Sequence, residues 1–155
     1  MSQVFISYTP EDQAFARQIA RDLNAAHLNV WLDVNSFVGG KDWDDAIEDA
    51  LEVSDFVLLL VSSDSMKSRY VTAQWEQALE EGKLIIPVLV QPITSDKIHF
   101  RLARFQYVDA TQPAKYDLAL KQVIELVQEQ LPVRISPEQA RTQRFFVDEL
   151  ADKGH

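Results

Sequence analysis

Apolar and polar positions along the chain follow two alternating rhythms. Residues 4–8, 29–33, 56–62 and 84–90 are short runs rich in Val, Ile, Leu and aromatics, and they read as strands. Between them the apolar residues recur every three or four positions. Phe15, Ile19, Ala20, Leu23 and Ala26 mark one face of a helix over 11–26. Asp42 can cap a helix that buries Trp43, Ile47, Ala50 and Leu51. Residues 68–79 form a helix with a stripe of Val71, Trp75, Ala78 and Leu79, and residues 116–131 a last one with Leu120, Val123, Ile124, Val127 and Leu131. Residues 105–109 are a candidate fifth strand, and 91–104 fit neither rhythm. Pro87 has no N–H to give to a ladder, which predicts an edge position or a bulge for 84–90.

Strands that alternate with helices predict an α/β fold, a five-stranded parallel sheet flanked by helices. The all-apolar run 56–61 fits a strand covered on both faces. In such sheets ligands bind beyond the carboxyl ends of the strands. Those ends fall at Tyr8-Thr9, Asp33, Ser62-Ser63, the loop after Val90, and Asp109, so Tyr8, Asp33 and the helix after Ser63 are expected on one rim. Residues 1–131 account for this pattern. Residues 132–155 lie outside it and are expected to be a helical extension, packed on the domain or leading to a further module. Ser136 and Pro137 resemble a helix start, and Ala140, Phe146, Val147 and Leu150 are its candidate buried residues.

Composition narrows the chemistry. The 155 residues contain no cysteine, which excludes disulfides, thiolate metal sites and a cysteine nucleophile, and is compatible with a cytoplasmic location. A net charge of −9 argues against nucleic acid or anionic membrane as a partner. The apolar runs are too short to span a bilayer. His27, His99 and His155 are isolated and suggest no metal site, and the acids from Asp42 to Asp49 suit a helix start better than a metal. Gly39-Gly40 matches neither phosphate-binding glycine pattern. A receiver domain shares the alternation, but its acidic cluster and partner lysine are missing.

Several segments in order carry a more specific resemblance: FISYT at 5–9, WLD at 31–33, the loop ending in Gly40 with Trp43 after it, SDFVLLLVSSDS at 54–65, and the Tyr70 helix followed by GKLIIPVLV. Together they resemble the TIR (Toll/interleukin-1 receptor) domain family over residues 3–131. The resemblance implies a flavodoxin-like TIR fold. In the bacterial-type, NAD-cleaving members it also implies scission of the nicotinamide–ribose bond of NAD+ by hydrolysis or cyclisation. Those members act in prokaryotic immune, anti-phage or signalling settings, with activity switched on by TIR–TIR assembly. NAD+ is then a substrate, and no cofactor is implied. Catalytic members carry an aromatic residue on the helix after the third strand and a glutamate four positions later. Here the aromatic is Tyr70, and the later position holds Gln74.

That difference matters because the reaction builds positive charge on the ribose. A carboxylate beside the sugar can stabilise it, and aromatic faces can stack on a base. Glutamine keeps the shape of glutamate and its hydrogen bonding but has no charge and cannot act as a base. Loss of that group is expected to slow turnover on the order of 10²–10⁴-fold while sparing the fold. Glu76 does not substitute for it: two residues along a helix is roughly 200° around the axis, so it is expected to be a solvated surface charge. The resemblance makes Gln74 the occupant of the catalytic position. Tyr70 is expected to stack on a base, and Tyr8, Thr9, Asp33, Phe37 and Trp43 are candidates for shaping the pocket. Tyr8, Thr9 and Asp33 equally suit ordinary strand ends, and Trp43 the core. A second expectation, which Gln74 favours, is a non-catalytic module that works through TIR–TIR contacts.

Overall fold

The computed structural model describes residues 3–32, 41–130 and 133–153, with residues 41–44 and 153 described by their backbone alone. Five parallel strands form one sheet: β1 (Gln3–Ser7), β2 (Asn29–Trp31), β3 (Phe56–Val61), β4 (Leu84–Leu89) and β5 (Val108–Asp109), in the order β2-β1-β3-β4-β5. The helices are α1 (Gln13–Ala25), α2 (Lys41–Val53), α3 (Ser63–Lys67), α4 (Arg69–Glu80), α5 (Tyr116–Gln128) and α6 (Pro137–Lys153). The chain leaves β1 toward β2 and returns to β3 on the other side, so a switch point lies at the carboxyl ends of β1 and β3.

The period of two in β1 assigns its faces. Gln3 donates to the Ala50 carbonyl on α2, and Ser7 donates to Gln74 on α4, so Gln3, Phe5 and Ser7 face α2 and α4. Phe5 pairs in register with Trp31, and the two rings stack at 5.0 Å and 8°, which puts Trp31 on the same face. Val4 and Ile6 point the other way, toward the side on which α1 and α5 pack together. Every residue of β3 is buried, as a strand covered on both faces requires.

Helix α4 is tightly delimited. The Ser68 hydroxyl accepts from the Val71 N–H at its start. At its end Gly82 takes φ +75°, and Gly82 and Lys83 donate back to the carbonyls of Leu79 and Ala78, a six-to-one closure that favours glycine. The Lys83 ammonium then donates to the carbonyls of Glu52 and Ser54 and ties the exit of α2 to the start of β4.

Pro87 is not at an edge: β4 lies between β3 and β5, with Pro87 opposite Leu59. The N–H groups of Leu84 and Val90 point toward β3, so by alternation the nitrogen of residue 87 points toward β5. That strand pairs only with Val88 and Leu89, so a proline there costs no ladder bond.

The fifth strand is shorter than residues 105–109 predict. Phe105 instead makes an antiparallel bridge with Arg134, and the stretch is held by the carboxyl-terminal helix. The Gln143 amide donates to the Phe105 carbonyl at 2.6 Å and accepts from the Tyr107 N–H at 2.8 Å. Asp148 accepts from the N–H and hydroxyl of Ser95 at 2.7 and 3.0 Å. Residues 91–104, unassigned by periodicity, form two short 3-10 turns at Ser95–Lys97 and Phe100–Leu102. Helix α6 begins at the cap expected for it, with Ser136 and Gln139 bonded reciprocally. Val147, Leu150 and Ala151 are its buried residues. Ala140 is half-buried, and Phe146, expected inside, is 44% exposed, because the inward face runs through Gln143 and Val147.

Replacing Gln143 with alanine leaves a carbonyl and an N–H of the 105–107 segment without their partner. The expected cost is about 2 kcal/mol, read by urea denaturation, with a matching loss of amide-exchange protection at Tyr107.

Candidate functional site

The carboxyl ends of β1 and β2 meet the faces of α2 and α4 at one crevice. Phe5, Ile6, Tyr8, Trp31, Ile47, Tyr70 and Gln74 line it. It opens alongside a cavity of about 280 Å³ lined by Ile47, Glu48, Leu51, Tyr70, Ala73, Gln74 and Gln77. Tyr70 and Gln74 sit one turn apart on α4 and touch both spaces. Tyr70 is 37% exposed at the mouth, whereas Gln74 is 8% exposed and reaches back to the sheet. There its side-chain carbonyl accepts from the Ser7 hydroxyl at 2.5 Å. The site thus offers aromatic surface from Tyr8, Trp31 and Tyr70, an amide at its inner end and a carboxylate, Glu48, at the margin of the larger cavity. That suits a ligand with a flat ring and a polar, hydroxyl-bearing part.

The expected residues do not all gather here. Tyr8, Tyr70 and Gln74 converge on the crevice. Thr9 is buried elsewhere on the rim and lines neither space; its hydroxyl donates to the Asp12 carboxylate at 3.2 Å. Asp33 and Phe37 lie outside the described residues, as does the side chain of Trp43. Ser7, Trp31, Ile47 and Glu48 were not foreseen as site residues. The period-two pattern of β1 carried a signal for Ser7, a polar residue at the carboxyl end of the face that also carries Gln3 and Phe5.

Glu76 points away from the crevice, as helical geometry requires. It is not merely solvated: it pairs with Arg101 at 3.1 Å, with both side chains more than a third exposed. Such a pair contributes at most about 1 kcal/mol. Between Gln74 and Glu76, Trp75 is fully buried with its ring edge-on to His99 at 5.0 Å. Among the described residues no group of His, Asp or Glu could hold a metal ion, and no helix is long and apolar enough to cross a membrane.

A second polar cluster occupies the rim beside β3. The Asp12 carboxylate accepts from Ser62 at 2.5 Å as well as from Thr9, and Ser62 in turn caps α3 in a reciprocal pair with Ser65. Burial pushes the Asp12 carboxyl above its ordinary value of 3.8; the bonds from Ser62 and Thr9 oppose this, and the charges of Asp64 and Glu11 add to it.

An α/β domain with this strand order, and a crevice where α2 and α4 meet the ends of β1 and β2, defines the class. The sequence profile described as TIR domain matches residues 4–124, and the chain belongs to the TIR domain family. Among solved structures it is similar to the TIR domain of the Toll-related receptor TRR-2 from the lower metazoan Hydra magnipapillata. The TM-score is 0.68 and the identity 21%, over 81% of this chain and 97% of that one, a likeness of fold. It also matches the TIR domains of the activated Roq1 resistosome directly recognizing the pathogen effector XopQ, at 17% identity over 98% of this chain and 84% of that one. The TM-score of 0.49 makes that likeness too loose to build on. No curated protein matches the sequence.

Because the folded state raises the Asp12 value, it binds the proton more tightly than the unfolded chain. This carboxyl therefore favours folding increasingly as pH falls from neutrality toward 4. Asp12→Asn removes that dependence. The variant is expected to compare most favourably with the parent at pH 7 and progressively less so at pH 5 and 4, as checked by urea denaturation at each pH.

Proposed function

We propose that this TIR domain holds an NAD+ site of the nicotinamide-releasing type whose central acid is replaced by Gln74. The observation that carries the reading is the convergence of Tyr70 and Gln74 from α4 with Tyr8 and Trp31 from the sheet on one crevice at the ends of β1 and β2. In this reading a base stacks on Tyr70 and the ribose hydroxyls meet the Gln74 amide. With no carboxylate at 74, the positive charge that builds on the sugar as the nicotinamide bond breaks goes uncompensated. The chain therefore binds the dinucleotide and turns it over slowly. The proposal places the domain in the cytoplasm, in a prokaryotic defence or signalling protein, activated by assembly with other TIR domains and able to be joined to a sensor or effector module.

The other reading is a non-catalytic module that works through TIR–TIR contacts alone. Gln74 itself favours it, since its side-chain carbonyl already accepts from the buried Ser7 hydroxyl with or without a ligand.

The test compares the present chain with Gln74→Glu, both concentrated enough to assemble, by release of nicotinamide from NAD+. The glutamate form is expected to be faster on the order of 10²–10⁴-fold. Inertness of both forms when assembled defeats the enzymatic reading. Full activity of the present chain defeats the role given to residue 74.

A further inference from the structure

The fully buried Ser7 hydroxyl is the group that meets residue 74 from the sheet. It lies at the last position of β1, on the face shared with Phe5, and bonds across 67 residues of sequence to the far side of the crevice. A glutamine uses one oxygen in this bond and turns its two N–H donors elsewhere. A glutamate has two accepting oxygens. One would accept the hydrogen bond from the serine hydroxyl, and the other would be left facing the crevice that Tyr8, Trp31 and Tyr70 line.

From this geometry we infer that Ser7 is the positioning residue of the site: its hydroxyl anchors one oxygen of the residue-74 side chain and thereby aims the other polar atom at the sugar of the bound dinucleotide. The inference rests on the NAD+ reading for the identity of the ligand, but the anchoring itself does not. Two features of the surroundings make the anchor matter. Residue 74 is buried, where an unpaired carboxylate is disfavoured. In addition, the Ser7 hydroxyl is the hydrogen-bond donor that reaches the residue-74 side chain from the sheet, and among the described residues no cationic side chain lines either cavity. Among the described residues the titratable neighbours are Tyr8 after β1, Tyr70 on α4 and Glu48 on α2, and none of these supplies positive charge. The role is narrow. Serine at 7 does not touch the ligand in this arrangement; it fixes the rotamer of the group that does.

The test uses Gln74→Glu as the parent, with the introduced carboxyl carbon at position 74 followed by 13C NMR across pH, alone and with Ser7→Ala or Ser7→Thr. A donated hydrogen bond favours the charged form, so its loss raises the titration midpoint. Ser7→Ala is expected to move the midpoint up by about one pH unit, whereas Ser7→Thr, which keeps the hydroxyl, stays near the parent. Glu48 is present in all three proteins and cancels from the comparison. In parallel, nicotinamide release by Ser7→Ala is expected to lose about tenfold in kcat with KM little changed, because an aimed group acts in the transition state. An unchanged midpoint in folded Ser7→Ala, or equal shifts in the alanine and threonine proteins, overturns the anchor. If Ser7→Ala does not fold, Ser7→Cys, similar in size and a weak donor, takes its place in the same titration. Absence of NAD+ cleavage by every protein carrying the Gln74→Glu change defeats the NAD+ reading, and the titration still decides the part played by Ser7.

Discussion

A strand with no solvent-facing side dictates most of this architecture. All six residues of β3 are buried, so neither face of the strand can be left without a cover. Apolar burial at roughly 25 cal/mol per Å² makes exposure of either face prohibitive. Helices must therefore pass on both sides of the sheet, and right-handed crossovers achieve that when the chain reverses direction across it. The reversal puts β1 between β2 and β3, and the crevice at the ends of β1 and β2 is where Gln74 and Tyr70 come to face the sheet. The crevice is a by-product of how a fully buried central strand is enclosed.

The same constraint explains which parts of the fold were legible beforehand. Central strands carry their signature in composition, and the helix of residue 74 carries a stripe whose stiffest member, Trp75, has no alternative but the core. The far edge was less legible. The alternation Phe105, Tyr107, Asp109 looks like a strand whether its backbone partners are another strand or the side chain of Gln143, and nothing local distinguishes the two. Pro87 misled for a related reason. A proline forbids a ladder bond on one side only, and whether a partner stands on that side depends on a strand twenty residues later.

The site was legible in outline and incomplete in detail. Tyr8, Tyr70 and Gln74 could be placed because strand ends and helix faces follow from period alone. Ser7 could not be ranked above its neighbours, since its significance lies in a partner 67 residues distant. Thr9, two positions on, shows the limit from the other direction: past the end of the strand the side chain leaves the crevice and joins the hydrogen-bonded group around Asp12.

The brace made by Gln143 and Asp148 has a consequence for how the molecule comes into being. The segment that closes the far edge of the sheet, from Ser95 to Tyr107, takes its backbone partners from a helix made some forty residues later. During synthesis the central strands and the Tyr70 helix can pair as soon as they emerge. The edge beyond β4 has to wait for the final helix to clear the ribosome. In that interval Ser95, Phe105 and Tyr107 lack the side-chain partners that Asp148 and Gln143 give their backbone. The order of translation thus exposes that edge longest, where a nascent chain is most open to chaperones or to wrong partners.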